Sequence, residues 1–142
     1  MTIDEAQVIL EELVNDLPER IFQDLNGGVL LLPDKVINPE AKNNDLYTMG
    51  EYCVSPSMGR LVKIYYGSFA AVFGENASEG KWRRELRKTL HHELTHHLEH
   101  LAGEKDLEIE DEINMYLYRN GLPMGSIKNP KLGKYRDNDE NK

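Results

Sequence analysis

Residues 89–100 read TLHHELTHHLEH, and the centre of this stretch, residues 92–96, has the pattern H-E-x-x-H. On a helix, residues four apart lie on the same face, so His92 and His96 can direct imidazole nitrogens at one metal ion. Glu93 is rotated by about 100° from His92, which places it beside the metal, where it can take a proton from a metal-bound water. Two imidazoles and one carboxylate with an open fourth position suit zinc. The pattern predicts a Zn²⁺ site with His92 and His96 as ligands and Glu93 as the catalytic base.

The surrounding sequence predicts the helix that this motif needs. From Lys81 to Ala102 there is no Pro or Gly, and the run is rich in the good helix formers Leu, Arg, Lys and Glu. Ser78 or the pair 79–80 can begin the helix, and Gly103 is a natural residue to end it. Apolar residues recur at steps of three and four and predict a buried stripe: Trp82, Leu86, Leu90, Leu94, Leu98 and Leu101.

The third metal ligand depends on how the chain continues after the motif helix. If Gly103 reverses the chain, a following helix returns roughly antiparallel, and residues near positions 110–112 lie beside His96. Asp111 is the favoured ligand, because Ile113 faces the core and Asp111, two residues earlier, then faces sideways. A slip of one residue in the turn would rotate this helix and change the ligand. Three further carboxylates therefore stay open as alternatives: Glu108, and behind it Asp106 and Glu112.

The other segments of the chain are predicted from local patterns. Thr2 and Glu5 form a capping box for a first helix that Pro18 stops. The remaining predicted segments are a short helical turn at 20–24, a strand at 29–33, a loop at 34–47, a hairpin of strands 51–54 and 60–66, a short helix or turn at 68–73, and an amphipathic helix at 106–120. Strands collected before the motif helix, with three substantial helices, predict an α+β fold with a small mixed sheet. Residues 1–124 are expected to form one domain, and the polar residues 125–142 a flexible tail.

Composition sets further expectations. The chain has 142 residues, a net charge of −8 and a pI near 5.1, with no basic stripe to meet nucleic-acid phosphates. Its single cysteine, Cys53, fits a reducing compartment. The acidic N-terminus has no apolar region typical of a secretory signal, and no apolar run reaches the ~20 residues of a membrane span. We expect a cytoplasmic protein that acts on a peptide or protein substrate, without nucleic acid or membrane as a partner.

Residues 92–98, HELTHHL, resemble the start of the signature of the small bacterial zincin-like metallopeptidases, whose second metal-binding His is typically followed by another His. In that family a short edge strand precedes the active-site helix, and residues 64–68 resemble the end of that strand. The resemblance implies a minimal zincin fold and a metallopeptidase that hydrolyses peptide bonds with a Glu-activated, zinc-bound water. In this mechanism, the strand from Leu61 to Tyr66 is expected to present an unpaired edge along which an extended peptide substrate can lie.

The chain also departs from that family's pattern. Members often have a Gly three residues after the second His and an acidic ligand three residues further on, and these positions hold Glu99 and Ala102 here. An inserted helical turn, with the reversal moved to Gly103, preserves the arrangement and leaves open whether Asp106 or Asp111 takes the ligand role.

Two other functions fit the same motif. The chain could be a zinc-binding regulatory or interaction module with little or no proteolytic activity, or its zinc could be structural and closed by a fourth ligand such as Glu99 or His100. A hydrogen bond between a ligating imidazole and either Glu99 or His100 is a further alternative. For His97, a hydrogen-bonded structural role is favoured over substrate binding.

Overall fold

The computed structural model describes residues 1–43, 46–104, 115, 116, 118 and 119. The first helix, α1 (Ile3–Asn15), begins with the predicted capping box: the Glu5 backbone N–H donates to Thr2 Oγ1 at 3.1 Å, and the Thr2 N–H donates to Glu5 Oε1 at 2.8 Å. A 3₁₀ turn at Glu19–Phe22 follows, close to the predicted helical turn. Both short-range predictions are confirmed.

The strands are β1 (Gly28–Leu32), β2 (Val36–Ile37), β3 (Tyr47–Thr48), β4 (Gly50–Ser55) and β5 (Gly59–Tyr65). The predicted hairpin is β4–β5, which pairs antiparallel with Cys53 opposite Leu61. The predicted loop at 34–47 is wrong in part, because β2 lies within it and pairs antiparallel with β3. Pairs of such short strands leave little periodicity in the sequence to detect.

The main sheet has the order β1–β5–β4, with β1 parallel to β5. The prediction that the strand from Leu61 to Tyr66 lies at an edge of the sheet is therefore wrong. This strand is β5, the central strand, which is hydrogen-bonded to a neighbour on each side. Its apolar residues Val62 and Ile64 are fully buried, as expected for a strand flanked by neighbours. Within the described residues the sheet edges are β1 and β4.

Two further helices follow the sheet, α2 (Tyr66–Phe73) and α3 (Glu79–Glu104). The predicted stripe of α3 is confirmed, since each member is at most 3% exposed: Trp82, Leu86, Leu90, Leu94, Leu98 and Leu101. This stripe packs with the buried face of α1 and with one face of the sheet. The architecture is thus α+β, with a small mixed sheet packed against the helix that carries the motif.

The predicted end of α3 is wrong, because Gly103 is itself helical and the helix extends to Glu104. A single Gly costs a helix only about 1 kcal/mol relative to Ala, so it permits a helix end without requiring one. Most of the predicted helix at 106–120 and all of the predicted tail at 125–142 lie outside the described residues. Among the residues that the structure does describe, no helix is both long and apolar enough to cross a membrane.

Candidate metal centre

The two motif histidines point at each other from successive turns of α3. Their Nε2 atoms are 2.9 Å apart and their ring centroids 4.6 Å apart. Both rings are half-buried on the helix flank that is turned away from the leucine stripe. The structure therefore brings His92 and His96 together as the four-residue spacing predicts.

The chemistry of this pair fits a metal such as zinc. The pKa of both rings is lowered to about 3; burial is the main cause for each, and for His92 the neighbouring His96 ring is a second cause. Both imidazoles are therefore neutral near pH 7 and can offer a nitrogen lone pair. Two nitrogens that each lie about 2.0–2.1 Å from a tetrahedral zinc are roughly 3.3 Å apart. Opening the observed separation by a few tenths of an ångström would be enough to admit the ion.

Glu93 lies at the boundary between this flank and the core. Its side chain is 1% exposed and is turned towards β4, where a Cβ placed on Gly50 would lie 3.4 Å from Glu93 Cγ and 2.9 Å from Thr89 Cγ2. A larger residue at position 50 would push strand and helix apart. Sequence reasoning missed Gly50, although a glycine in a strand often marks such a close approach.

Glu99 contacts the His96 ring at the nitrogen that does not face His92. Its Oε1 lies 3.1 Å from His96 Nδ1, and burial raises the pKa of this carboxyl to about 7. Because Nδ1 is on the opposite side of the ring from Nε2, Glu99 contacts the nitrogen that does not face His92. This geometry supports the hydrogen-bonding alternative for Glu99 over its role as a fourth ligand, and His100 is exposed on the helix surface.

His97 has the structural role that was favoured from the sequence. The ring is fully buried, and its Nε2 lies 2.7 Å from the carbonyl oxygen of Gln23. Since a carbonyl only accepts, Nε2–H is the donor, and Nδ1 accepts from the Tyr52 hydroxyl at 2.9 Å. His97 therefore ties α3 to β4 and to the segment after the 3₁₀ turn.

His91 faces away from the motif pair, towards the ring of Tyr116 and a cavity of about 480 Å³ whose lining includes Asp16 and Arg87. Burial, and then the charge of Arg87, lower the pKa of His91 to about 4. An unfolded histidine titrates near 6.5. Below pH 6.5 the unfolded chain therefore binds a proton at His91 that the folded chain does not bind. The free energy of unfolding is unaffected by titration of this residue above pH 6.5 and falls as the pH is lowered from 6.5 towards 4.

We expect the free energy of unfolding of His91→Gln to fall less steeply than that of the wild type as the pH is lowered below 7. Between pH 7 and pH 5 the metal-free wild type should lose about 1 to 2 kcal/mol more unfolding free energy than this variant, as measured by urea unfolding. Parallel curves for the two proteins would contradict the assignment, whatever their offset.

The third predicted ligand, Asp111, lies outside the described residues, as do its alternatives Glu108, Asp106 and Glu112. Within the part of the chain that is described, no group of three His, Cys, Asp or Glu side chains is placed to hold a metal ion. The argument for Asp111 assumes that the chain reverses at Gly103, and this assumption is wrong because Gly103 is helical. Asp111 stays a prediction, but the count of residues from Gly103 no longer supports it.

The described residues thus form an α+β domain with a convergent histidine pair on its longest helix. The chain is similar to a solved structure from Thermus thermophilus, a conserved hypothetical protein, with 33% sequence identity and a TM-score of 0.63. The match covers 73% of this chain and 100% of the other. The chain therefore belongs to the same family as that protein. No protein-family model and no curated protein matches this sequence.

Proposed function

We propose that this protein is a zinc-dependent peptidase of the zincin type, in which His92 and His96 hold the metal and Glu93 is the general base. The observation that supports this most is the 2.9 Å approach of the two Nε2 atoms, with a buried carboxylate one residue away on the same helix. When bound, zinc would lower the pKa of water and polarise a peptide carbonyl.

Glu93 would move the proton in this reaction. It accepts a proton from the attacking water while the water oxygen bonds to the carbonyl carbon. It then gives that proton to the amine nitrogen as the C–N bond breaks. The Glu93 side chain is buried against β4 at Gly50, and this packing limits the positions that it can adopt.

The substrate would lie along β4, which replaces the wrongly predicted edge at β5. β4 bonds to β5 on one side, and no strand of the described chain pairs with its other side. The Tyr65 N–H donates to the Met49 carbonyl at 3.0 Å, so the backbone of Met49 faces β5. Along an antiparallel pair, residues that bond to the neighbouring strand alternate with residues that do not. Counting from Met49, the backbone groups of Gly50 and Val54 point away from β5. An extended peptide can add to such an edge as another strand.

The acidic third ligand would come from the residues after α3. Asp111 remains our first choice, with Glu108, Asp106 and Glu112 as alternatives. Alanine substitution of each in turn tests them, since loss of a ligand should strongly weaken zinc binding. Unchanged zinc content in Asp111→Ala would transfer the role to Glu108 or Asp106.

Metal analysis tests the site directly. Wild-type protein purified without added zinc should carry about one zinc ion per chain, and the double variant His92→Ala/His96→Ala should carry almost none. His100→Ala is the matched control, because it removes an exposed imidazole from the same helix and should leave zinc content unchanged. Metal-free wild type, or equal zinc in the double variant, would refute the site.

Incubation of the zinc-loaded protein with a broad peptide library then tests the activity. Cleavage that disappears on chelation and returns with zinc is the expected result. Stoichiometric zinc with no cleavage of any peptide would instead favour the regulatory or interaction module.

A further inference from the structure

The contact between Glu99 and His96 gives one side of the histidine pair a fixed partner. The Glu99 Oε1 atom lies 3.1 Å from His96 Nδ1, and the two side chains are 22% and 10% exposed. They are three residues apart on α3, so one turn of helix sets their separation. A short, largely buried contact of this kind restricts how the His96 ring can rotate.

The proton on His96 can occupy either of two ring nitrogens. In a neutral imidazole one nitrogen carries hydrogen and the other carries a lone pair. If the hydrogen is on Nε2, the ring cannot present a lone pair in the direction of His92. If the hydrogen is on Nδ1, Nε2 is left open on the side where the two rings converge. A carboxylate oxygen beside Nδ1 accepts this hydrogen and favours the second arrangement.

We infer that Glu99 is a positioning residue, which holds His96 in the Nδ1–H form with its Nε2 lone pair directed towards His92. This inference rests on the proposed metal site. Its ligand is a divalent cation of the zinc class, and Glu99 acts on that cation only through His96. Hydrogen-bonded carboxylates behind a ligating histidine typically change metal affinity by about 10- to 100-fold.

The test compares Glu99→Ala, Glu99→Gln and wild type in a zinc competition titration against a chromophoric chelator. Glu99→Ala should weaken zinc binding by about 10- to 100-fold. Glu99→Gln should recover most of that loss, because its amide oxygen still accepts from Nδ1–H. Glu85→Ala is the control, since it removes another largely buried carboxylate from α3, one that pairs with Lys81 at 3.4 Å. Its zinc affinity should match that of wild type.

A second measurement does not depend on metal. Nitrogen-15 spectra of the His96 ring in metal-free protein should show Nδ1–H in wild type and in Glu99→Gln, and a mixture of both tautomers in Glu99→Ala. A change in helix stability alone would not move this signal.

The outcomes separate the two proposals. Zinc binding by Glu99→Ala within twofold of wild type, or an unchanged His96 tautomer, overturns the positioning role and leaves the metal site standing. Equal loss of zinc in Glu99→Gln and Glu99→Ala would make Glu99 a ligand and also overturns it. A wild-type protein that binds no zinc overturns both proposals. If His96→Ala loses zinc and Glu99→Ala does not, the metal site stands and the positioning role of Glu99 is overturned.

Discussion

Replacing Glu93 with Gln is expected to slow peptide hydrolysis by about 10²–10⁴-fold while zinc content stays unchanged. The amide has nearly the same shape as the carboxylate, so it can occupy the same buried position beside Gly50 on β4. It cannot accept the proton that the attacking water must lose. The two ring nitrogens that face each other belong to His92 and His96, and neither is altered by the substitution.

The measurement is the initial rate on a cleavable peptide, together with zinc content and unfolding midpoint for each protein. Glu85→Gln is the matched control, a carboxylate-to-amide change on the same helix outside the motif, and it should cleave at the wild-type rate. If Glu93→Gln cleaves as fast as wild type, Glu93 is not the base. If it loses zinc, Glu93 is a ligand and the mechanism needs a different base.

The parts of the fold that sequence predicts correctly are those set by neighbouring residues. The capping box of α1 requires only Thr2 and Glu5, which are three residues apart. The leucine stripe of α3 follows from helical periodicity, and the β4–β5 hairpin from two β-rich runs joined by a short turn. Each signal is complete within about twenty residues of chain.

Errors arise where distant segments meet. The parallel pairing that sets Leu31 opposite Ile64 joins residues over thirty positions apart, and nothing local in β5 shows that it has two neighbours. The β2–β3 pair is too short to have a pattern of its own. Gly103 permits a helix to end, but the rest of α3 decides whether it does, and there the helix continues.

The same distinction applies to the site. The convergence of His92 and His96 follows from their spacing on one helix, and so does the contact of His96 with Glu99, one of the two residues considered for it, because Glu99 lies three residues after His96. Gly50 could not be linked to Glu93 in advance, since the contact depends on how β4 packs against α3. The choice of acidic ligand depends on counting residues from the turn after α3 to the position beside His96. An error in the place of that turn therefore changes which carboxylate is chosen, and the choice of Asp111 depends on it.

Trp82→Ala is expected to lower the free energy of unfolding by about 3 to 5 kcal/mol, a large part of the roughly 5–15 kcal/mol that holds a domain of this kind together. Trp82 is fully buried in the first turns of α3, and its ring stacks on Tyr66 and Phe69 with centroids 5.5 and 6.0 Å away. Its Nε1–H donates to the Gly74 carbonyl at 3.2 Å. Truncation would leave a cavity where α2 meets the helix that carries the histidine pair.

Urea unfolding of metal-free protein measures this loss without a contribution from zinc binding. Trp82→Phe keeps an aromatic ring and loses the donor to Gly74, so its loss should be smaller, about 1 to 3 kcal/mol. Val72→Ala, at a side chain 49% exposed on α2, should change stability by no more than about 0.5 kcal/mol. If Trp82→Ala unfolds at the same urea concentration as Val72→Ala, then Trp82 does not anchor α3 and the packing of the motif helix must be reassigned.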